Sequence, residues 1–404
     1  VTPNQFIPFF DTTARDWSTE ARLLRWLTFV WLVLGFLVMC SASFPAGMQE
    51  FKNGWHYPIR QSINLAIGMV FFNIIVHSPL KRLINIAHWG VLIFLGLIFV
   101  TRLPGLGTSV NGAARWIPIG PFLLQPSEFI KPFLVLQSAR IFGQWDNLTW
   151  RTRFTWLGIF CVVLLAILLQ PNLSTTALCG MTIWLIALAS GLPLYYMSLT
   201  AGGGVLLATI SVTFREYQRK RIMSFLDPWA DATGDGYQLT QSLLAVGSGQ
   251  IFGTGFGQSQ QKLGFLPIQY TDFIYAIFAE EFGLVGGIFL LVMMIAYASL
   301  ALWIATRAKT NVYRLIAIGI MTLIVGQAML NIGVATGALP TTGLPFPMWS
   351  YGGSSLWSSL ISAAILIRVA RENTEAEIVN LPVRSPKQQR SLSFSKRKPK
   401  PNRR

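Results

Sequence analysis

Apolar stretches long enough to cross a bilayer recur along this chain, and that recurrence limits the fold more than any other feature. A spanning helix takes about 17–25 residues. Inside hydrocarbon every backbone polar group must be satisfied by the protein itself, so helices and closed barrels are the only spanning forms. A barrel would read as short segments of alternating polarity, whereas these runs are continuous. They predict ten spans, at roughly 26–43, 58–76, 84–101, 126–142, 154–170, 173–190, 193–213, 273–305, 312–336 and 352–370. The eighth run is long enough to tilt or to project from the membrane. Composition agrees: 12% of residues are charged, about half the share of a soluble domain. The expected fold is all-α and polytopic, without an internal repeat.

Basic residues in the short connections set the orientation. With the N-terminus inside, the inner segments carry Arg15, Arg22, Arg25, Lys81, Arg82, Arg151, Arg153, Arg307, Lys309 and Arg314, against Lys52, Arg102 and Arg115 in the short outer loops. Both termini are then cytoplasmic. Residues 1–22 form a cytoplasmic N-terminal segment, 23–371 the transmembrane domain and 372–404 a basic, disordered tail. Three longer connections fall outside: 44–57, 102–125 and 214–271. The last is by far the largest, and a loop of that length is usually functional.

Several function classes drop out. The segment after Leu366 holds half of the net charge of +16. It reads as a cytoplasmic marker or as a contact for anionic headgroups. No folded nucleic-acid module accompanies it, so nucleic acid is excluded as a partner. Cys40, Cys161 and Cys179 all lie in apolar runs, which argues against a disulfide framework. His56, His77 and His88 are scattered, without metal-ligand spacing. Ser41-Ala42-Ser43 resembles a signal-peptidase site, but more spans follow, so the first run is an anchor.

The chain has 16 acidic residues, and three of them, Asp272, Glu280 and Glu281, crowd into QYTDFIYAIFAEEFG. Thr271 can cap the following helix, with Asp272 in its first turn, where the helix dipole favours an acid. Alternatively, Asp272 is a carboxylate at the water–lipid boundary with a pKa raised toward that of a general base. Glu280 and Glu281 lie about 12 Å deeper along the helix. An unpaired carboxylate there costs on the order of 2–3 kcal/mol, so each is expected to face the bundle interior as a polar clamp or a proton path. Adjacent residues point about 100° apart on a helix, so one glutamate should do most of the work.

Glu128 and Lys131 in QPSEFIKP share a helical face and can neutralise each other; alternatively Lys131 reaches the outer cavity and binds phosphate. Arg115 and the cluster Arg215, Arg219, Lys220 and Arg221 suit phosphate contacts at the outer surface, or ordinary headgroup contacts. The glycines of GSGQIFGTGFG permit tight turns; no strand–turn–helix context makes them a dinucleotide loop. Ser354 and Ser355 lack a nearby histidine, so neither reads as a nucleophile.

The run DPWADATGDGYQLTQSLLAVGSGQIFGTGFGQSQQKLGFLPIQYTDFIYAIFAEEFG closely resembles the large loop of the SEDS proteins, the shape, elongation, division and sporulation glycosyltransferases of bacterial walls. NGAARWIPIGPFLLQPSEFIK, QPNLST and LPTTGLPFPMWSYGGSS resemble further family signatures in the same order, over about Arg22 to Arg371. GYQLTQSLLA is more similar to the division branch than to the elongation branch. The chain departs from common family patterns at Ile268, Tyr270, Asn172, Ser174 and Thr342, none of which removes the aspartate.

The resemblance implies polymerisation of lipid II, a disaccharide-peptide on undecaprenyl diphosphate, into glycan strands during septal wall synthesis at the inner membrane. It implies that Asp272 is catalytic, as general base or as ligand of a divalent cation (magnesium or manganese). It implies that Arg115, Glu128 and Lys131 bind the departing diphosphate and shape the cavity, with Glu280 or Glu281 as inner support. It further implies a class B penicillin-binding protein with transpeptidase activity as partner, alongside other division proteins. No nucleotide or organic cofactor is expected. Two rivals remain open on sequence: a transporter that flips lipid II, with Glu280 and Glu281 coupled to ions, and a non-enzymatic division scaffold.

Overall fold

The computed structural model describes residue 14 and residues 17–103, 107–110 and 113–374. The basic tail and most of the N-terminal segment fall outside these residues. All ten expected runs are helical. Helices α1 (Thr19–Phe51), α2 (His56–His77) and α3 (Leu80–Val100) are followed by α4 (Pro126–Gly143), α5 (Trp150–Leu169), α6 (Leu173–Ala189) and α7 (Leu194–Phe214). After the large loop come α10 (Ile274–Thr306), then α11 (Asn311–Met321) and α12 (Gln327–Ala335), joined through a π turn, and α13 (Gly353–Thr374). Eight helical segments among the described residues are long and apolar enough to cross a membrane; α6 is apolar but shorter.

Local chemistry explains the helix starts. Ser18 accepts from the Ala21 amide at α1, Asn172 from Thr175 at α6 and Thr310 from Tyr313 at α11. Each satisfies one of the amides that a helix leaves unpaired at its N-terminus. Helices then approach closely where one of them offers no side chain. A Cβ on Gly90 of α3 would lie 2.2 Å from Phe133 of α4, and Gly35 of α1 likewise admits the Trp349 ring from the stretch before α13, 2.1 Å from where its Cβ would be. Two buried indoles find backbone acceptors: Trp31 donates to the Pro347 carbonyl and Trp349 to that of Trp31. The centre of the bundle is α13, largely buried, while α7 is almost wholly exposed and presents its apolar side chains outward.

Two features differ from the sequence expectation. Connection 102–125 holds a small antiparallel sheet of β1 (Thr108–Val110), β2 (Ala113–Ile119) and β3 (Phe122–Leu124). Connection 214–271 contains helices α8 (Glu216–Leu226) and α9 (Tyr237–Ser248).

The long eighth run does not continue as one straight helix. It breaks at Gly283, whose φ is +61°. The loop after α9 inserts into the break, and its backbone closes the interrupted ladder. Thr254 and Gly255 amides donate to Glu280 and Glu281 carbonyls, and Leu284 and Val285 amides donate to those of Gln250 and Ile251. Backbone can come this close only where side chains are missing: a Cβ on Gly253 would lie 2.2 Å from the Glu281 carbonyl oxygen. The glycine-rich stretch therefore serves close backbone approach as well as turning.

Candidate active site

Contacts join connections 44–57 and 214–271 to each other and to the 336–352 stretch between α12 and α13. Gln49 reaches the Leu263 carbonyl, the Tyr270 hydroxyl donates to that of Tyr57 at 3.0 Å, and Arg221 donates to the Thr341 carbonyl. Asp272 lies among them, two residues before α10. The capping expectation fails here. Helix α10 begins with Phe273 in the cap position and no side-chain cap, and the Thr271 hydroxyl donates back to the Ile268 carbonyl. The reason is tertiary: residues 270–272 are held by groups from distant segments, so they cannot adopt the capping geometry.

Asp272 is half-buried. Burial pushes its carboxyl above the usual carboxylate range, and the Arg221 and Arg115 guanidinium groups pull it back. A methyl group on Gly343 would sit 3.4 Å from Asp272 Oδ2 and 3.8 Å from Arg221 Nη1. Glycine thus keeps open the space that carboxylate and guanidinium share. Arg115 is fixed from the other side, donating from Nε to the Gln170 carbonyl at 2.9 Å and from Nη2 to that of Pro171 at 2.7 Å.

The other expected cations go separate ways. Arg215 donates to the Leu168 carbonyl. Lys220 lies near Glu216 and Asp235, and Arg219 is exposed on α8. Of the cluster on α8 and its cap, Arg221 is the member whose charge acts on Asp272.

Glu128 and Lys131 pair as their spacing allows, 2.7 Å apart and both buried. Lys131 also donates to Gln327 on α12. Here the pair braces α4 against α12.

Both inner glutamates are engaged, contrary to the expectation that one dominates. Glu280 accepts from the Ser259 hydroxyl and from the Gln260 and Gln261 amides. Glu281 accepts from Lys262 at 2.7 Å and from Ser41 at 2.6 Å. The inserted loop curls round the helix, so its side chains reach both directions that adjacent residues face. Lys262 was not singled out in the sequence; its only signal is a lone lysine 19 residues before a glutamate in an apolar run.

The donor set around Asp272 does not by itself fit a resident metal. The carboxylate faces two cations, and among the described residues no group of three or more His, Cys, Asp or Glu side chains converges. Ser354 donates to the Leu123 carbonyl and accepts from the Gln125 amide, as a structural tether of the sheet.

Comparison with known proteins agrees with this architecture. The profile of the cell cycle protein family that includes FtsW, RodA and SpoVE matches residues 21–375. A probable peptidoglycan glycosyltransferase FtsW from Synechocystis is 54% identical, covering 93% of this chain and 95% of its own. A putative peptidoglycan glycosyltransferase FtsW from Mesostigma viride is 48% identical, covering 93% and 90%. A chain in a solved peptidoglycan synthase complex, described as coordinating polymerization and crosslinking, superposes with a TM-score of 0.71 at 25% identity, covering 87% of this chain and 98% of its own.

Proposed function

The chain belongs to the FtsW, RodA and SpoVE family of membrane proteins, and from that premise we propose that it is a peptidoglycan glycosyltransferase that polymerises lipid II during septal wall synthesis. The observation that carries the reading is Asp272: a half-buried carboxyl whose pKa burial raises, set beside Arg221 at the space left by Gly343. A raised carboxyl is a stronger base once ionised, and two nearby guanidinium groups keep it ionisable.

In the reaction, an acceptor sugar hydroxyl gives its proton to the Asp272 carboxylate while its oxygen bonds to the donor's anomeric carbon. The bond from that carbon to the diphosphate breaks, and undecaprenyl diphosphate leaves with the electron pair. Attack opposite the leaving group inverts the configuration. Arg221 and Arg115 meet the charge that builds on the diphosphate. Arg215 and Arg219 add positive potential further out, and Glu128 with Lys131 shapes the cavity from below.

The large loop faces the outside of the bacterial inner membrane in this reading, and both termini are cytoplasmic. The substrates' prenyl tails stay in the bilayer, which is why the base stands at its edge. A cross-linking class B penicillin-binding protein is the expected partner; the superposition on a complex that couples polymerization with crosslinking supports it. Ion-coupled flipping finds less support, because Glu280 and Glu281 are already engaged with 259–262. The test incubates purified chain and partner with labelled lipid II and resolves products on a gel. A ladder of long strands supports polymerisation; lipid II translocation into the opposite leaflet without any ladder overturns it.

A further inference from the structure

Residues 270–272 carry the base but lie outside any regular element, so something must fix them. Their three carbonyls are all taken by groups from one distant part of the chain. The Tyr351 amide donates to the Tyr270 carbonyl at 2.8 Å and the Ser350 hydroxyl to that of Thr271 at 2.6 Å. Asn331 Nδ2 donates to the Asp272 carbonyl at 2.7 Å, and the same nitrogen donates to the Leu344 carbonyl at 2.8 Å.

Asn331 is 1% exposed, and its Oδ1 finds no partner. A buried amide that leaves its oxygen unsatisfied is costly. Both neighbours are acceptors, so only the nitrogen end can face them, and a primary amide has the two N–H groups needed.

The setting of Asn331 explains its reach. The π turn at Thr322–Gly326 precedes α12, and such turns re-aim a helix face. Gln327 and Asn331 are four residues apart and lie on one face of α12. Gln327 Nε2 donates to the Pro345 carbonyl at 2.7 Å while its Oε1 accepts from Lys131. The buried pair Glu128–Lys131 thereby anchors Gln327. Gln327 and Asn331 suspend residues 344–345, and the adjoining Gly343 borders Asp272 and Arg221. Asn331 bridges the two walls of that space, the Gly343–Leu344 side and Asp272 itself, through one side-chain nitrogen.

We infer that Asn331 is a positioning residue for Asp272, and that its two hydrogen bonds set the distance between the carboxylate and the Gly343 wall. This rests on the reading of Asp272 as the base. Asn331→Leu keeps bulk and removes both donors; the Asp272 carbonyl is freed and the carboxylate loses its register. A misplacement on this scale lowers turnover on the order of 10- to 100-fold, while KM moves by less than about threefold because the diphosphate contacts are untouched. Asn331→Ser keeps one donor and falls between the two.

The experiment uses full-length protein with its partner. It measures kcat, KM and the acid limb of the pH profile on lipid II, and also hydrogen exchange of the 268–275 peptide without substrate. The expected result is lower kcat, a displaced acid limb and faster exchange in Asn331→Leu, graded through Asn331→Ser. Wild-type kcat and limb, or unchanged exchange, would overturn the inference. Asp272→Asn is run alongside. If it polymerises normally, the base reading falls and the positioning role falls with it. That failure is told apart from failure of the inference alone, in which Asp272→Asn is dead but the Asn331 variants behave as wild type.

Discussion

Lys262 offers the clearest energetic test of how the large loop is fastened. Its Nζ lies 2.7 Å from Glu281 Oε1 and 2.8 Å from Ser41 Oγ, and the lysine and glutamate side chains are 6% and 0% exposed. Two charges held this far from solvent attract strongly, but each has lost its hydration. Removing one partner leaves the other buried and unpaired, at a cost of about 3–5 kcal/mol. Replacing both with apolar groups removes the desolvation cost together with the attraction and is near neutral, within about 1 kcal/mol. Lys262→Met is therefore expected to destabilise by about 3–5 kcal/mol, as is Glu281→Met, and the double variant to recover most of that loss. The assay is equilibrium unfolding of detergent-purified protein, with all four corners of the cycle measured. Single-variant losses below about 1 kcal/mol, as for a solvent-screened pair, would refute the clamp. So would losses that simply add in the double variant.

The remaining predictions concern charge, backbone and tail. Arg221→Gln removes the guanidinium that lowers the Asp272 pKa more strongly of the two; ionised Asp272 is needed for base action, so the acid limb of the pH–rate profile moves to higher pH. An unchanged limb would mean that another group governs it. Gly253→Ala forces a Cβ to within 2.2 Å of the Glu281 carbonyl at a φ of +79°, which costs more than the roughly 1–2 kcal/mol of a left-handed backbone alone; a melting curve like that of the wild type would contradict the insertion at the α10 break. Deleting residues 375–404 is expected to leave glycan synthesis intact in the lipid II assay, whereas a scaffold would lose its function.

Much of the fold was legible because apolar runs are local signals. The ten helical ranges follow from run length, while the caps Ser18, Asn172 and Thr310 emerge from the structure. What escaped was long-range. An apolar run from 273 to 305 carries no sign that residues 250–255 enter it, so it reads as one helix. The strands of 108–124 are too short, at three and seven residues, to give an alternating pattern. At the site, Glu128–Lys131 was visible as a local pair, and Asp272 stood out as an acid at the edge of a span. The local rule that made Thr271 a cap fails because Ser350, Tyr351 and Asn331 claim the carbonyls around it. Arg221 was visible only as one of several cations. Its choice from among them comes from the fold, which turns it toward Thr341 and Gly343.

The most direct measurement compares wild type with Asp272→Asn, each purified with its partner, on labelled lipid II with a divalent cation present. The substitution keeps the size of the side chain and removes the base. Long glycan strands from the wild type, and none from a variant that melts and binds its partner normally, is the predicted result. Equal ladders from both would contradict the assignment of Asp272 as the base.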